Sequence, residues 1–451
     1  MNICYVPIGV GTYHMETAHA AFDTSSKVLA ALFGDELKRP EGILFSSDEV
    51  KSYIRQADPD LVILQNITFA NAAYVTEVLK AYQGPLVLWT LREPVGEAGG
   101  RLKLNSLTGT FSAANTYHQL REDEPLLLFG APEEEAVAVR LKQIAGAVRV
   151  YQALKGLKIC QIGHTPQGFG FGRALDTEIS RTFGAELVSI EARELINRAK
   201  GYVLSDCEEA LSLIKKWIPG FSSLEDDRIP KVNQDDFVRL MQAYLSYVKE
   251  QGVGALSSRC WPDFFVEYGT PVCGVLSVLN AMGIPASCEA DTYGALSMCI
   301  AQQLTGEAAF FGDPVALSEG ENTLTFWHCG MASCSLARSE EGAAVGVHPN
   351  RKIGPTMEFG ARAAEHVTIL RIGKDRDGSF RLAAMSGKAL EKPKQFLGTS
   401  LVVQTDAPVK AMVDRLLSEG WEPHYAVAYG DITEELLVLG KLLGLPVTVI
   451  R

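Results

Sequence analysis

A chain of 451 residues exceeds what one hydrophobic core ordinarily serves, so it reads as several domains. With 47% hydrophobic and 21% charged residues it falls in the ordinary globular class. Its formal net charge of −12 leaves no concentrated cationic surface for a nucleic-acid backbone, although a small anionic substrate would need only a few local Arg or Lys side chains.

The chain opens MNICYVPIGVGTYHMETAHAAF, with no basic start, long apolar run or Ala-x-Ala cleavage site, so a cytoplasmic location is expected. No window approaches the run of about 18 apolar residues that a membrane helix needs. Apolar runs at 3–8, 61–65, 85–89 and 126–129 predict buried strands, and helical patterns at 16–33, 48–56 and 70–81 lie between them. Ser46 and Glu49 have the spacing of a capping box at a helix start. Strand and helix in alternation imply parallel pairing through crossovers, hence a doubly wound sheet. A helix over 132–154 closes this first α/β domain, 1–155.

A second α/β domain, 156–308, begins with a strand at 157–162 and the Gly-rich GHTPQGFGFGR. A helix, a strand at 186–190, helices around 206–217 and 234–251 and a strand at 254–257 follow. After RCWPDFF come a helix at 271–282, a strand at 285–288 and a helix at 291–304. Strands at 308–312 and 324–329 lead into a third region, 309–451, where alternating or apolar runs at 367–372, 380–385 and 401–404 predict a β-rich domain. It closes with a helix at 409–418, a strand at 425–429, a helix at 432–443 and a strand at 447–450. The fold class is therefore α/β, with two doubly wound parallel-sheet domains followed by a β-rich C-terminal domain.

The most informative stretch is GIPASCEADTYGALSMCIAQQLTGEAAFFGD. Glu289 directly follows a short apolar strand, and Asp313 directly follows AAFFG. Carboxylates at neighbouring strand ends can project into one crevice and suit hard divalent ions. The plainer alternative is that Glu289 and Asp291 cap the next helix while Asp313-Pro314 starts a turn. His424, in EPHYAVAYGD, is a metal ligand, a general acid/base or an exposed loop histidine; His328, in FWHCG, is a core or a site histidine. GFGFG at 168–172 lacks the full dinucleotide pattern and reads as a plain loop. The nine cysteines include no CxxC pair and read as buried free thiols; the spacing of Cys329 and Cys334 matches no standard thiolate site.

The run EADTYGALSMCIAQQLTG followed by FFGD resembles the central signature of the L-fucose isomerase family, which shares its architecture with the L-arabinose isomerases. Asp313 stands 24 positions after Glu289, the separation expected of that family. PHYAVAYGDITEELLVLGKLLGLPV is similar to the family's closing segment, and His424 falls on its metal-binding histidine. RCWPDFF, WHCG and LREP…GGRLKLNSLTG look like the family's shorter branch, which includes sulfoquinovose isomerases.

The resemblance implies aldose–ketose isomerisation through a cis-enediol, with Mn²⁺ (or Mg²⁺ or Co²⁺) held by Glu289, Asp313 and His424. Glu289 and Asp313 would double as the catalytic carboxylates. It further implies a homo-oligomer, usually a hexamer, whose active site is completed by a neighbouring subunit. Tyr13, His14, Arg92 and Asn105 are the candidates for that contribution, and His328, Arg259 and Trp261 for contacts with the sugar. L-fucose, D-arabinose, L-arabinose and a modified hexose such as sulfoquinovose are the candidate substrates, with Arg259 or Arg351-Lys352 available to a sulfonate. A non-catalytic sugar-binding protein and a metal-dependent aldolase or hydrolase are the competing classes.

Overall fold

Parallel strands need crossovers, and amphipathic helices supply them by returning the chain across the sheet. The computed structural model describes residues 1–96, 99–340 and 342–451. It divides into two units, Met1–Gln152 with Leu437–Gly444, and Ala153–Leu436 with Leu445–Arg451. The first carries β1 (Ile3–Ile8), α1 (Met15–Phe33), β2 (Leu37–Lys38), α2 (Ser47–Ala57), β3 (Leu61–Asn66), α3 (Ala72–Ala81), β4 (Leu86–Thr90), α4 (Ser106–Leu120), β5 (Leu126–Phe129) and most of α5 (Glu135–Lys155).

Its five strands pair in parallel in the order β2-β1-β3-β4-β5, a doubly wound arrangement. Alternate residues of the strands, Cys4, Val6, Ile8, Val62, Leu64, Leu86 and Leu88, face one core. Helices α2, α3 and α4 cover it with Val50, Ile54, Val75, Val78, Leu79, Ala113 and Tyr117. On α1, Phe22 stacks on Tyr5. The capping box forms: Glu49 N–H donates to Ser46 Oγ at 3.2 Å, and Ser46 N–H donates to Glu49 Oε2 at 3.2 Å. Helix α4 was not expected, because SLTGTFSAANTYHQL is rich in residues of low helix propensity and has little apolar periodicity.

The second unit holds β6 (Lys158–Ile162), α6 (Asp176–Phe183), β7 (Glu186–Ile190), α7 (Ala192–Gly201), α8 (Glu208–Trp217), α9 (Lys231–Gln251), β8 (Ala255–Ser258), α10 (Cys273–Ala281), β9 (Ala286–Cys288) and α11 (Thr292–Thr305). Strands β7-β6-β8-β9 form a second parallel sheet. Helix α7 was also not expected, although its buried Ala192, Leu195, Ile196 and Ala199 carry the helical spacing.

The remaining elements are β10 (Phe310–Ser318), β11 (Thr323–His328), β12 (Val345–Gly346), β13 (Thr356–Met357), β14 (Phe359–Gly360), β15 (Ala364–Lys374), β16 (Phe380–Ala389), β17 (Thr399–Thr405), α12 (Val409–Ser418), β18 (Tyr425–Tyr429), α13 (Thr433–Leu443) and β19 (Val447–Ile450). The eight-stranded sheet runs β14-β17-β11-β10-β18-β15-β16-β19, and a further β16–β17 pairing joins it to itself. Strands β17, β11, β10, β18, β15 and β16 thus close into an antiparallel barrel. Closure removes edges that would otherwise template aggregation.

One expectation is corrected here. Asp313 neither follows the end of a strand nor starts a turn: β10 continues through it to Ser318, with a register shift between Pro314 and Ala316. Pro314 does not end the strand because it lies beyond Gly312, the last residue paired with β18, at an irregularity where a missing N–H is tolerated. Among the described residues no helix is long and apolar enough to cross a membrane.

Barrel closure depends on close backbone approach at Gly387, paired with Thr405, where a Cβ would lie 2.4 Å from the Gln404 carbonyl oxygen. Gly387→Val is expected to destabilise the protein by about 1–3 kcal/mol in urea unfolding, the range for overpacking; unchanged stability would mean that the β16–β17 contact is loose.

Candidate active site

The site begins where β8 and β9 end side by side, with Ser258 paired to Cys288. Glu289 is the first residue past β9, and it and Ala290 both adopt left-handed backbone, φ 60° and 55°. Each costs on the order of 1–2 kcal/mol in a non-glycine residue. Hydrogen bonds from Ala290 N–H to Ser258 O (3.0 Å) and from Asp291 N–H to Cys288 O (3.2 Å) hold the turn. Strain of this kind persists where the surroundings over-determine it, most often at functional sites. Asp291 then caps α11 by accepting from Gly294 N–H at 2.9 Å. The capping alternative therefore holds for Asp291 and not for Glu289.

The barrel supplies the other half. The register that pairs Gly312 with Tyr425 sets Asp313 beside His424, the residue just before β18. His424 Nε2 lies 3.1 Å from Glu289 Oε2 and 3.3 Å from Asp313 Oδ1. The structure therefore brings together Glu289, Asp313 and His424, residues that are far apart in the chain. His424 is buried, while the two carboxylates keep partial exposure.

Asp291 fixes the imidazole from behind. His424 Nδ1–H donates to Asp291 Oδ2 at 2.9 Å, leaving Nε2 directed at the two carboxylates. Arg371, a fully buried side chain of β15, donates Nη1 to Asp291 Oδ2 (2.6 Å) and Nη2 to Asp291 Oδ1 (3.1 Å). Burial raises the Asp291 pKa, but the Arg371 charge and the His424 hydrogen bond outweigh it and hold the carboxyl well below the usual range. Burial opposes charge on His424, yet hydrogen bonds to Asp291 and Glu289 raise it to about 9. Burial also raises Asp313 against the lowering pull of His424 and His328.

His328, the last residue of β11, accepts from Cys329 N–H at Nδ1 (2.9 Å). Burial opposes charge on its ring, whereas Cys329, Asp313 and Glu289 favour it. The N–H aimed at Nδ1 makes that nitrogen an acceptor, so the ring proton sits on Nε2. His328 Nε2 is buried without a hydrogen-bond partner among the described residues. It lies with Glu289 and His424 in a group whose donor atoms are all within 4.8 Å of one another.

GFGFG is more than a plain loop. Phe171 meets the His424 ring edge-on at 5.2 Å, and Phe169 links it to Trp261. A Cβ on Gly172 would come within 2.7 Å of Asp291 Cα, so only glycine lets the loop seat there. Arg259 donates Nε to Trp261 O at 3.0 Å and pairs with Asp263 at 2.9 Å. The Arg351 guanidinium lies over Trp261 at 5.2 Å and over Phe265 at 5.0 Å.

The four remaining candidates belong to the first unit. Asn105 Nδ2 donates to Tyr13 Oη at 2.9 Å, and Asn105 itself is left-handed at φ 54°. His14 caps α1, accepting from Thr17 N–H. Arg92 forms a two-bond pair with Glu134 and lies over Phe129.

The donor set fits a divalent cation. Two carboxylates surround one imidazole nitrogen whose ring is oriented by a third carboxylate, the usual outer support of a metal-ligating histidine. Sequence reasoning missed Arg371 and the orienting role of Asp291. A charge inside the apolar run TILRIG was the available signal, because a buried Arg must be paired.

The chain is 52% identical over 98% of its length to a sulfoquinovose isomerase of Clostridium sp. (strain MSTE9), covering 98% of that protein. It is 36% identical to the sulfoquinovose isomerase of Alkalicoccus urumqiensis, over 100% of both chains, and 35% identical to that of Priestia aryabhattai, over 98% of both. No protein-family model matches. The chain is thus an enzyme of the sugar aldose–ketose isomerase class. It belongs to the sulfoquinovose isomerase family, in the L-fucose isomerase-like branch.

Removing one partner of a buried ion pair strands the other charge. Arg371→Met is expected to cost about 3–5 kcal/mol in urea unfolding; a loss below about 1 kcal/mol would show that Asp291 does not depend on it.

Proposed function

We propose that this enzyme interconverts sulfoquinovose and its ketose through a cis-enediol, using Mn²⁺ held by Glu289, Asp313 and His424. The observation that carries the reading is the convergence of both carboxylates on His424 Nε2, at 3.1 and 3.3 Å, in a chain with full-length likeness to sulfoquinovose isomerases. Mg²⁺ or Co²⁺ would suit the same oxygen and nitrogen donors. When bound, the cation supplies Lewis-acid stabilisation of negative charge developing on the sugar oxygens.

The side chains handle the protons. One of Glu289 and Asp313 removes the proton from C2 and returns it to C1, while the other serves the hydroxyl protons on O1 and O2. The C2–H bond breaks, a C1–H bond forms, and the carbonyl moves from C1 to C2. Asp291 and Arg371 hold His424 in one orientation throughout. His328 Nε2–H, buried and without a partner among the described residues, donates to a sugar oxygen.

Sulfoquinovose carries its sulfonate on C6, so a cationic group must lie along the sugar from the reacting end. Arg351, stacked on Trp261 and without a carboxylate partner among the described residues, supports that reading, as does the nearby Arg259. We place the enzyme in the cytoplasm as a hexamer, with Tyr13, His14, Arg92 or Asn105 of one subunit completing the site of its neighbour.

Three measurements test this. Glu289→Gln and Asp313→Asn should each lower isomerisation by at least about 10²-fold while circular dichroism stays unchanged; near-normal turnover in either variant removes that residue from the mechanism. Chelation should abolish turnover and added Mn²⁺ restore it, whereas full activity in the chelator would exclude the metal. With sulfoquinovose, kcat/KM should exceed that for glucose on the order of 10²-fold or more, and equal values would exclude recognition of the sulfonate.

A further inference from the structure

The cysteines read as scattered thiols in the sequence, yet the fold gathers three of them. Cys273 is the first residue of α10, Cys288 is the last of β9, and Cys329 follows β11. All three are buried. Cys273 Sγ and Cys329 Sγ are 3.8 Å apart. The sulfurs of Cys273, Cys288 and Cys329 all lie within 4.8 Å of one another.

A tetrahedral site with Zn–S bonds near 2.3 Å has sulfurs about 3.8 Å apart. Thiolate donors select d¹⁰ cations such as Zn²⁺, whereas the carboxylates and imidazole nearby suit harder ions. We propose that Cys273, Cys288 and Cys329 form a binding site for a thiophilic d¹⁰ cation, Zn²⁺ in the first instance, separate from the Glu289–Asp313–His424 site. Binding replaces the thiol protons, which leave to solvent, and changes no oxidation state.

The site would be structural. Cys288 is bonded to Glu289 and Cys329 to His328, so one ion would tie together the chain ends that carry two residues of the candidate active site. The proposal does not depend on the isomerase reading.

Cd²⁺ serves as the probe, because sulfur-to-cadmium charge transfer absorbs in the ultraviolet and oxygen or nitrogen ligation gives no such band. One equivalent of Cd²⁺ added to the purified full-length protein should produce the band. It should persist in Glu289→Gln, whatever that variant does to turnover, and disappear in the Cys273→Ser/Cys329→Ser double variant. A silent wild type, or an undiminished band in the double variant, overturns the site. X-ray absorption of wild type loaded with one equivalent of Zn²⁺ gives a readout that needs no variant: sulfur neighbours support the proposal, and a shell of oxygen and nitrogen alone overturns it.

Discussion

The buried chain from Arg371 through Asp291 to His424 is the contact on which the rest of this molecule's site depends. Arg371 is fully buried, and an unpaired guanidinium in such surroundings would cost many kcal/mol, so its bidentate pairing with Asp291 is obligatory. That one contact joins β15 of the barrel to the start of α11, which continues from the parallel sheet. A slip of β15 by one residue would turn Arg371 to the opposite face of the strand and strand Asp291, so the pair also fixes register.

From this anchor the geometry of the site follows. Asp291 accepts the hydrogen bond from His424 Nδ1–H, which leaves Nε2 for Glu289 and Asp313. Glu289 reaches that position only because two consecutive non-glycine residues accept left-handed backbone after β9. Asp313 reaches it through antiparallel pairing with β18, and His328 through β11 on the other side of β10. The parallel sheet thus contributes one carboxylate at a strand end, while the barrel contributes a carboxylate and two imidazoles from neighbouring strands. Burial pushes the Asp313 pKa up and the cationic partners pull the Asp291 pKa down, so two carboxylates beside the same imidazole differ in protonation chemistry.

Much of this was legible in the chain. Alternating apolar runs gave the parallel sheets, and turn-separated runs after residue 360 gave the β-rich region. The EADTYG, FFGD and PHYAVAYGD segments pointed to Glu289, Asp313 and His424 through their resemblance to the L-fucose isomerase family, because spacing alone left helix capping, a turn and a loop histidine open. The setting of Asp313 was not legible: FFGDP reads as a strand followed by a turn, and only pairing with β11 carries β10 onward to Ser318. Arg371 went unnoticed because its partner lies 80 residues away in the chain, and GFGFG looked like an ordinary loop because its neighbour Asp291 is more remote still in sequence.

The sequence by itself determined which side chains have the chemistry: carboxylates after apolar runs, a histidine before a strand, and a composition suited to several α/β and β layers. Periodicity and capping act over a few residues, so they can be read without knowing the fold. Tertiary structure alone decided that the barrel closes on itself, that Asp291 supports His424 while capping a helix, that His328 Nε2 has no hydrogen-bond partner among the described residues, and that three dispersed cysteines meet. Those outcomes arise from strand register and from the need to pair buried charge, and both are set by contacts between residues remote in the chain.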